Sequence, residues 1–134
     1  MPTVFSAQGK THTSDGNPDL MVYSSPPNVN VPSGSWSGST CTVPVAGVYF
    51  FCITFVKDSF YEGGTQDDVW VELRVNGNII GHAWSGEGDG RRSTGAFNAA
   101  LPLKVGDRVE TWASSDGGYK RHIAEYQFSG FLVA

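Results

Sequence analysis

The chain has 134 residues and a formal net charge of −4, with 40% hydrophobic and only 16% charged residues. This is enough chain for one domain with a real core, and the acidic balance removes any general electrostatic drive toward nucleic acid or anionic membrane. No apolar run approaches the ~20 residues that span a bilayer, two cysteines are too few for a disulfide scaffold, and 17 glycines, 7 prolines and a 13% aromatic share mark a turn-rich β protein.

In chain order, positions 1–40 are polar and broken by turn signals, Ser14-Asp15-Gly16-Asn17-Pro18, Pro26-Pro27 and Pro32-Ser33-Gly34. Short strands are expected near Thr3–Ser6 and Leu20–Tyr23. Val48–Val56 is apolar or aromatic except for Thr54, bounded by Pro44 and Gly47 before it and Lys57-Asp58 after it. Its β-branched and aromatic content predicts a strand buried on both faces. Asp68–Val75 alternates, with Val69, Val71, Leu73 and Val75 on one side and Trp70, Glu72 and Arg74 on the other. Asn76-Gly77 then predicts a tight hairpin returning through Asn78–Trp84, because both central residues of a type I′ turn need φ > 0. Ser85–Arg92, rich in Gly and charge, reads as an exposed loop. Thr94–Leu103 and Arg108–Ala113 are strands around a Lys104-Val105-Gly106-Asp107 turn. Ser114–His122 is another loop, and Ile123–Ala134 a closing strand. No segment sustains helical periodicity, and no repeat, linker or second domain interrupts residues 1–134. Many short strands separated by turns predict a sandwich or jelly roll. No secretory leader opens the sequence, so it reads as a mature domain or as a piece of a longer protein.

Gly47-Val48-Tyr49-Phe50-Phe51 resembles the Gly-x-Tyr-x-Phe signature of the complement C1q globular-head family, relatives of tumour necrosis factor. Other marks fall in order around it. Phe5-Ser6-Ala7 resembles the opening strand and Val43-Pro44-Val45-Ala46 the lead-in. Val69 to Asn76-Gly77 resembles the valine-rich strand and hairpin, Leu103-x-x-Gly106-Asp107-x-Val109 the Gly-Asp turn, and Tyr126-x-Phe128-Ser129-Gly130-Phe131-Leu132 the closing strand. Cys41 departs from the pattern: it stands where the family usually has Phe. No Gly-x-y collagen repeat precedes the domain.

The resemblance implies an all-β, ten-stranded jelly-roll sandwich of two antiparallel sheets that associates as a homotrimer. It also implies that Tyr49, Phe51, Ile53 and Phe55 face the core. Val48, Phe50 and Cys52 then face outward, joined by Phe128, Gly130 and Leu132 of the closing strand. Exposed in a monomer, that apolar patch is the expected trimer interface. Cys41 would lie in the sandwich and Cys52 on the opposite side of a sheet. Cα atoms more than ~7 Å apart cannot be bridged, so two free thiols are expected.

Two loops carry the candidate ligand groups. In the first, Trp84 offers a stacking plane, Glu87, Asp89, Arg91 and Arg92 offer charged hydrogen bonds, and the intervening glycines allow close backbone approach. In the second, Tyr119, Lys120 and Arg121 form a basic and aromatic group beside His122. Calcium, which several family members bind, would need two or more acids among six to eight oxygens, with Asp107 and Asp116 as the candidates. No cofactor is otherwise implied. His12, His82 and His122 are scattered, Gly34-Ser35-Trp36-Ser37-Gly38 has Trp36 where a nucleophile elbow needs its serine, and no catalytic set can be assembled, so no enzyme is expected. The resemblance points to a secreted, extracellular module of innate immunity that binds carbohydrate or a microbial surface as a pattern-recognising lectin. Its rivals are a signalling ligand for a protein receptor and a trimerisation head for a fibrous stalk.

Overall fold

The computed structural model describes residues 3–14, 18–23, 28–30, 35–61, 69–85, 92–115 and 121–134. The strands are β1 (Val4–Ser14), β2 (Asp19–Leu20), β3 (Asn28–Asn30), β4 (Thr40–Thr42), β5 (Gly47–Tyr61), β6 (Val69–Val75), β7 (Asn78–Trp84), β8 (Ser93–Leu103), β9 (Arg108–Ser115) and β10 (Arg121–Leu132). They form two five-stranded sheets. One has the order β3-β1-β10-β5-β8; the other has the order β2-β9-β6-β7, with β4 beside β2 on the free edge of β9. All the pairings are antiparallel. This is the expected all-β jelly roll.

The core lies between the sheets and is dominated by aromatic rings. Phe5 stacks on Trp36 at 4.9 Å between ring centroids and meets Phe128 edge-on at 5.0 Å, geometries that add to the area each ring removes from water. Trp36 thus packs against the same cluster as Cys41, the position where the family's Phe is missing. Among the described residues, the buried tyrosine hydroxyls find partners. Tyr23 bonds Thr111 Oγ1 at 2.7 Å, Tyr49 donates to the Val45 carbonyl at 2.6 Å, and Tyr126 donates to the Val22 carbonyl at 2.5 Å.

The hairpin forms as the sequence predicts, with φ of 51° at Asn76 and 84° at Gly77. Its neighbour is the Gly106-Asp107 turn. Asn76 Oδ1 accepts the Arg108 N–H at 2.9 Å, and Asn76 Nδ2 donates to Asp107 Oδ1 at 3.0 Å. Two motifs thirty residues apart in sequence are therefore one hydrogen-bonded corner.

Several boundaries differ from expectation for a common reason. β1 runs on to Ser14 through polar residues because β10 pairs with it along its length, from Val4↔Phe131 to Ser14↔Arg121. β5 continues past Lys57-Asp58 because β10 still pairs with it, across an irregularity in register, at Tyr61↔Arg121, although its ladder with β8 ends at Lys57↔Ser93. Ladder partners supplied by the fold override local polarity. In the expected strand Leu20–Tyr23 only Leu20 pairs with β9. Met21 and Tyr23 still enter the core, their N–H groups donating to the carbonyls of Thr111 and Gly38.

One facing assignment is corrected. β5 alternates as expected, with Tyr49, Phe51, Ile53 and Phe55 buried. On β10, however, Phe128 is 0% exposed, and Gly130 and Leu132 also turn toward the core. Register is the cause: directly paired residues share a face, and Phe128 pairs with Ile53, Leu132 with Tyr49. Phe128 and Leu132 therefore do not belong to the outward patch. Phe131, paired with Phe50, takes that place.

Candidate functional site

The outer face of the first sheet carries an apolar stripe. Phe50 and Phe131 touch across strands at 5.5 Å between centroids. Val48 is 37% exposed and Phe131 46%, with Cys52 half-buried further along β5. Toward the other end of the same strands the face turns polar. There Thr54, Val56, Thr94, Glu125 and Gln127 surround a groove of about 420 Å³ that Trp84 also borders. Cys41 is buried in the sandwich and Cys52 stands on the opposite face of the first sheet; both thiols are free, as expected. Burial pushes the Cys41 thiol up to about 12.

The outer face of the second sheet is different. The inward set Val69, Val71, Leu73, Ala83, Val109 and Ala113 is fully buried, so the alternate residues of β6, β7 and β9 point away from the core. Register places Trp84 beside Trp70, and His82, Glu72 and Trp112 in one row across the three strands. The Trp70 and Trp84 rings lie 4.7 Å apart. Trp70 donates its indole N–H to Glu72 Oε2 at 3.2 Å, and Arg74 places Nε and Nη2 on Glu72 Oε1 at 2.9 and 2.6 Å. The Arg74 guanidinium also sits 4.5 Å over the Trp112 ring. Trp112 donates to Glu110 Oε1 at 3.3 Å, and Thr40 donates to Glu110 Oε2 at 2.6 Å. Glu72 is 4% exposed, yet both of its oxygens are held by donors.

Of the residues singled out in the sequence, Trp84 is 50% exposed at the end of β7. Arg92 projects to solvent with its Nε 3.6 Å from Asp58 Oδ1, a loose surface pair. Asp107 serves its turn: Oδ2 accepts the Lys104 N–H at 2.8 Å and Oδ1 accepts from Asn76. Those bonds hold its carboxyl below the usual range. Glu87, Asp89, Arg91, Asp116, Tyr119 and Lys120, and the side chain of Arg121, lie outside the described residues. Among the described residues no three His, Cys, Asp or Glu side chains cluster to hold a metal, and no helix is long and apolar enough to cross a membrane. The sequence reading missed the Trp70–Glu72–Arg74–Trp112 assembly. The signal was present in the outward half of the β6 alternation, which pairs an indole, an acid and a guanidinium at every second residue.

Two stacked antiparallel sheets with an Asn-Gly hairpin docked on a Gly-Asp turn define a jelly-roll head of the kind shared by C1q and tumour necrosis factor proteins. The C1q domain model matches residues 4–133, and the chain belongs to that family, as a C1q-type module. It is 31% identical over 133 residues to complement C1q tumor necrosis factor-related protein 3 of mouse and of human, an alignment covering 96% of this chain and 50% of each relative. The chain thus spans about half the length of these curated relatives. Among solved structures, the globular domain of zebrafish complement 1qA superposes with a TM-score of 0.72 at 16% identity, covering 98% of both chains. The Eiger TNF of S. frugiperda gives 0.62 at 14% identity over 100% of this chain and 94% of that one, and murine APRIL gives 0.63 at 11% identity over 98% and 100%.

Proposed function

We propose that this domain is a secreted, non-enzymatic recognition module that works as a homotrimer and binds carbohydrate on microbial or other extracellular surfaces. The observation that carries the ligand reading is Trp84, an indole half exposed on an edge strand of a rigid sheet. Trimerisation is supported by family membership and by the Val48–Phe50–Phe131 stripe, which a monomer would leave in water. A second exposed apolar pair, Ile79 and Ile80, lies on β7, away from that stripe. Two different patches fit head-to-tail contact, and head-to-tail contact closes into rings rather than twofold dimers. Three copies of a shallow site then gain avidity on a repetitive surface.

A glycan and microbial-polysaccharide array, run with calcium and again with chelator, tests this reading. Binding that falls when Trp84 is changed to Ala supports it, and loss with chelator would bring calcium into the site. A signalling ligand for a protein receptor is the second reading. The groove beside Thr54, Glu125 and Gln127 favours it, because that groove adjoins the proposed subunit seam. A trimer that binds no glycan would move the assignment there.

A further inference from the structure

We propose that Arg92 of one copy enters the groove on the outer face of the next copy's first sheet and pairs there with Glu125, closing the polar end of the subunit seam. This rests on the homotrimer reading above and adds a charged contact to its apolar one. Register ranks that outer face in rows across β10 and β5. One row holds Phe131 and Phe50; two rows on are Gln127 and Thr54; the next holds Glu125 and Val56, with Thr94 beyond on β8. The face therefore runs from apolar to charged along its strands.

The edge that meets it has the same two ends. β7 and β8 are the outermost strands of their sheets and lie together, Phe97 of β8 over Gly81 of β7. Ile79 and Ile80 sit beside the hairpin docked on the Asp107 turn, the end at which Gly47 pairs with Leu103 and the apolar stripe begins. Arg92 lies at the far end, just before β8 starts and beyond the row of Thr94, Val56 and Glu125. A rotation carries one copy into the next without changing height along its axis, so groups that meet across a cyclic seam stand level. Seating Ile79 and Ile80 on the next copy's stripe sets that axis roughly along the strands. It also brings Arg92 to the Glu125 end of the same face.

The chemistry there is complementary. The groove of about 420 Å³ has Thr54, Thr94, Glu125 and Gln127 around it. Glu125 is exposed, and among the described residues no hydrogen bond or ion pair engages it, although Lys10 faces it across β1 and β10. Burying the stripe draws this carboxylate toward the closing surface, and a carboxylate that loses water needs a donor. A guanidinium supplies a planar fork for it, and Thr54 and Gln127 add acceptors alongside. The Arg92 side chain is 66% exposed, and its one ion pair among the described residues is the 3.6 Å contact of Nε with Asp58, weak enough to yield to a better one.

Sedimentation equilibrium over a wide concentration range, on wild type, Glu125→Arg, Arg92→Glu and the double swap, tests the contact. Each single reversal sets like charges together and should raise the concentration at which the trimer dissociates by about tenfold or more. The double swap should return it close to wild type, with the circular dichroism spectrum unchanged throughout. Added salt should also promote dissociation of the wild type, and Glu125→Gln should lose part of that dependence. If both reversals dissociate as wild type does, the contact is wrong, while the homotrimer reading stands and the groove stays open to a receptor. Single reversals that weaken assembly without rescue in the double swap overturn the pairing of Arg92 with Glu125. A wild-type chain that stays monomeric overturns the contact and the homotrimer reading together.

Discussion

Phe128→Ala and Phe131→Asp form a pair that separates core from seam on one strand. Phe128 is fully buried, with Phe5, Phe51, Tyr23 and Trp36 between 5.0 and 6.0 Å from its ring centroid. Removing such a ring loses its transfer energy and leaves a cavity that four other rings cannot easily fill. The cost is about 3–5 kcal/mol, a large part of the roughly 5–15 kcal/mol that holds a domain folded. For a chain of this size, that lowers the thermal midpoint by about 11–18 °C. Phe131, 46% exposed and touching Phe50, should behave oppositely: a charge there leaves the monomer fold standing but breaks association. Circular dichroism melts and light-scattering masses, taken at one protein concentration because a trimer's midpoint depends on it, read both effects. If Phe128→Ala melts within 2 °C of wild type yet runs as a monomer, the register argument is wrong and Phe128 faces the seam.

The other predictions are smaller. Cys41, buried with its thiol raised to about 12, should resist a disulfide-exchange reagent at pH 8 in the native protein and react only on unfolding, and mass spectrometry of the labelled peptides identifies which thiol reacted. His12 is lowered from its ordinary value by burial, with Asp19 pulling weakly the other way, and its Nε2 has no hydrogen-bond partner among the described residues. The unfolded chain therefore binds this proton more readily. Stability attributable to His12 is complete above about pH 6.5 and is lost as pH falls toward the lower folded value. Thermal midpoints at pH 7.5 and 5.5 should differ less in His12→Asn than in wild type. Asn76→Ala removes both corner hydrogen bonds and puts alanine at a φ of 51°. A loss of about 1–2 kcal/mol in urea denaturation is expected, and Asn76→Gly should recover part of it.

The fold was legible in the sequence wherever local chemistry and tertiary demand agree. Asn76-Gly77 can make only a few turns, and Val69–Val75 alternates cleanly between two environments. Legibility failed where long-range pairing decides. Nothing local marks Gln8–Thr13 as strand, and parity on β10 follows from its register with β5, which a single strand cannot reveal. Phe128 and Phe131 are both aromatic and three residues apart; only the pairing of Phe128 with Ile53 and of Phe131 with Phe50 tells them apart. The site divides in the same way. Trp84 stood out as an exposed aromatic beside a glycine-rich loop, but Trp70, Glu72, Arg74 and Trp112 become one assembly only when β9 lies against β6. Asp107, a calcium candidate by residue type, is held by the Lys104 N–H of its own turn and by Asn76, an asparagine close to it only in space.

The most direct test is the solution mass of the wild-type domain by sedimentation equilibrium across a wide concentration range, with Phe50→Asp alongside. A wild-type mass three times the 14.4 kDa of the chain, falling toward the single-chain mass in Phe50→Asp while its circular dichroism spectrum is retained, is the predicted result. A wild-type protein that stays at the single-chain mass throughout contradicts the account.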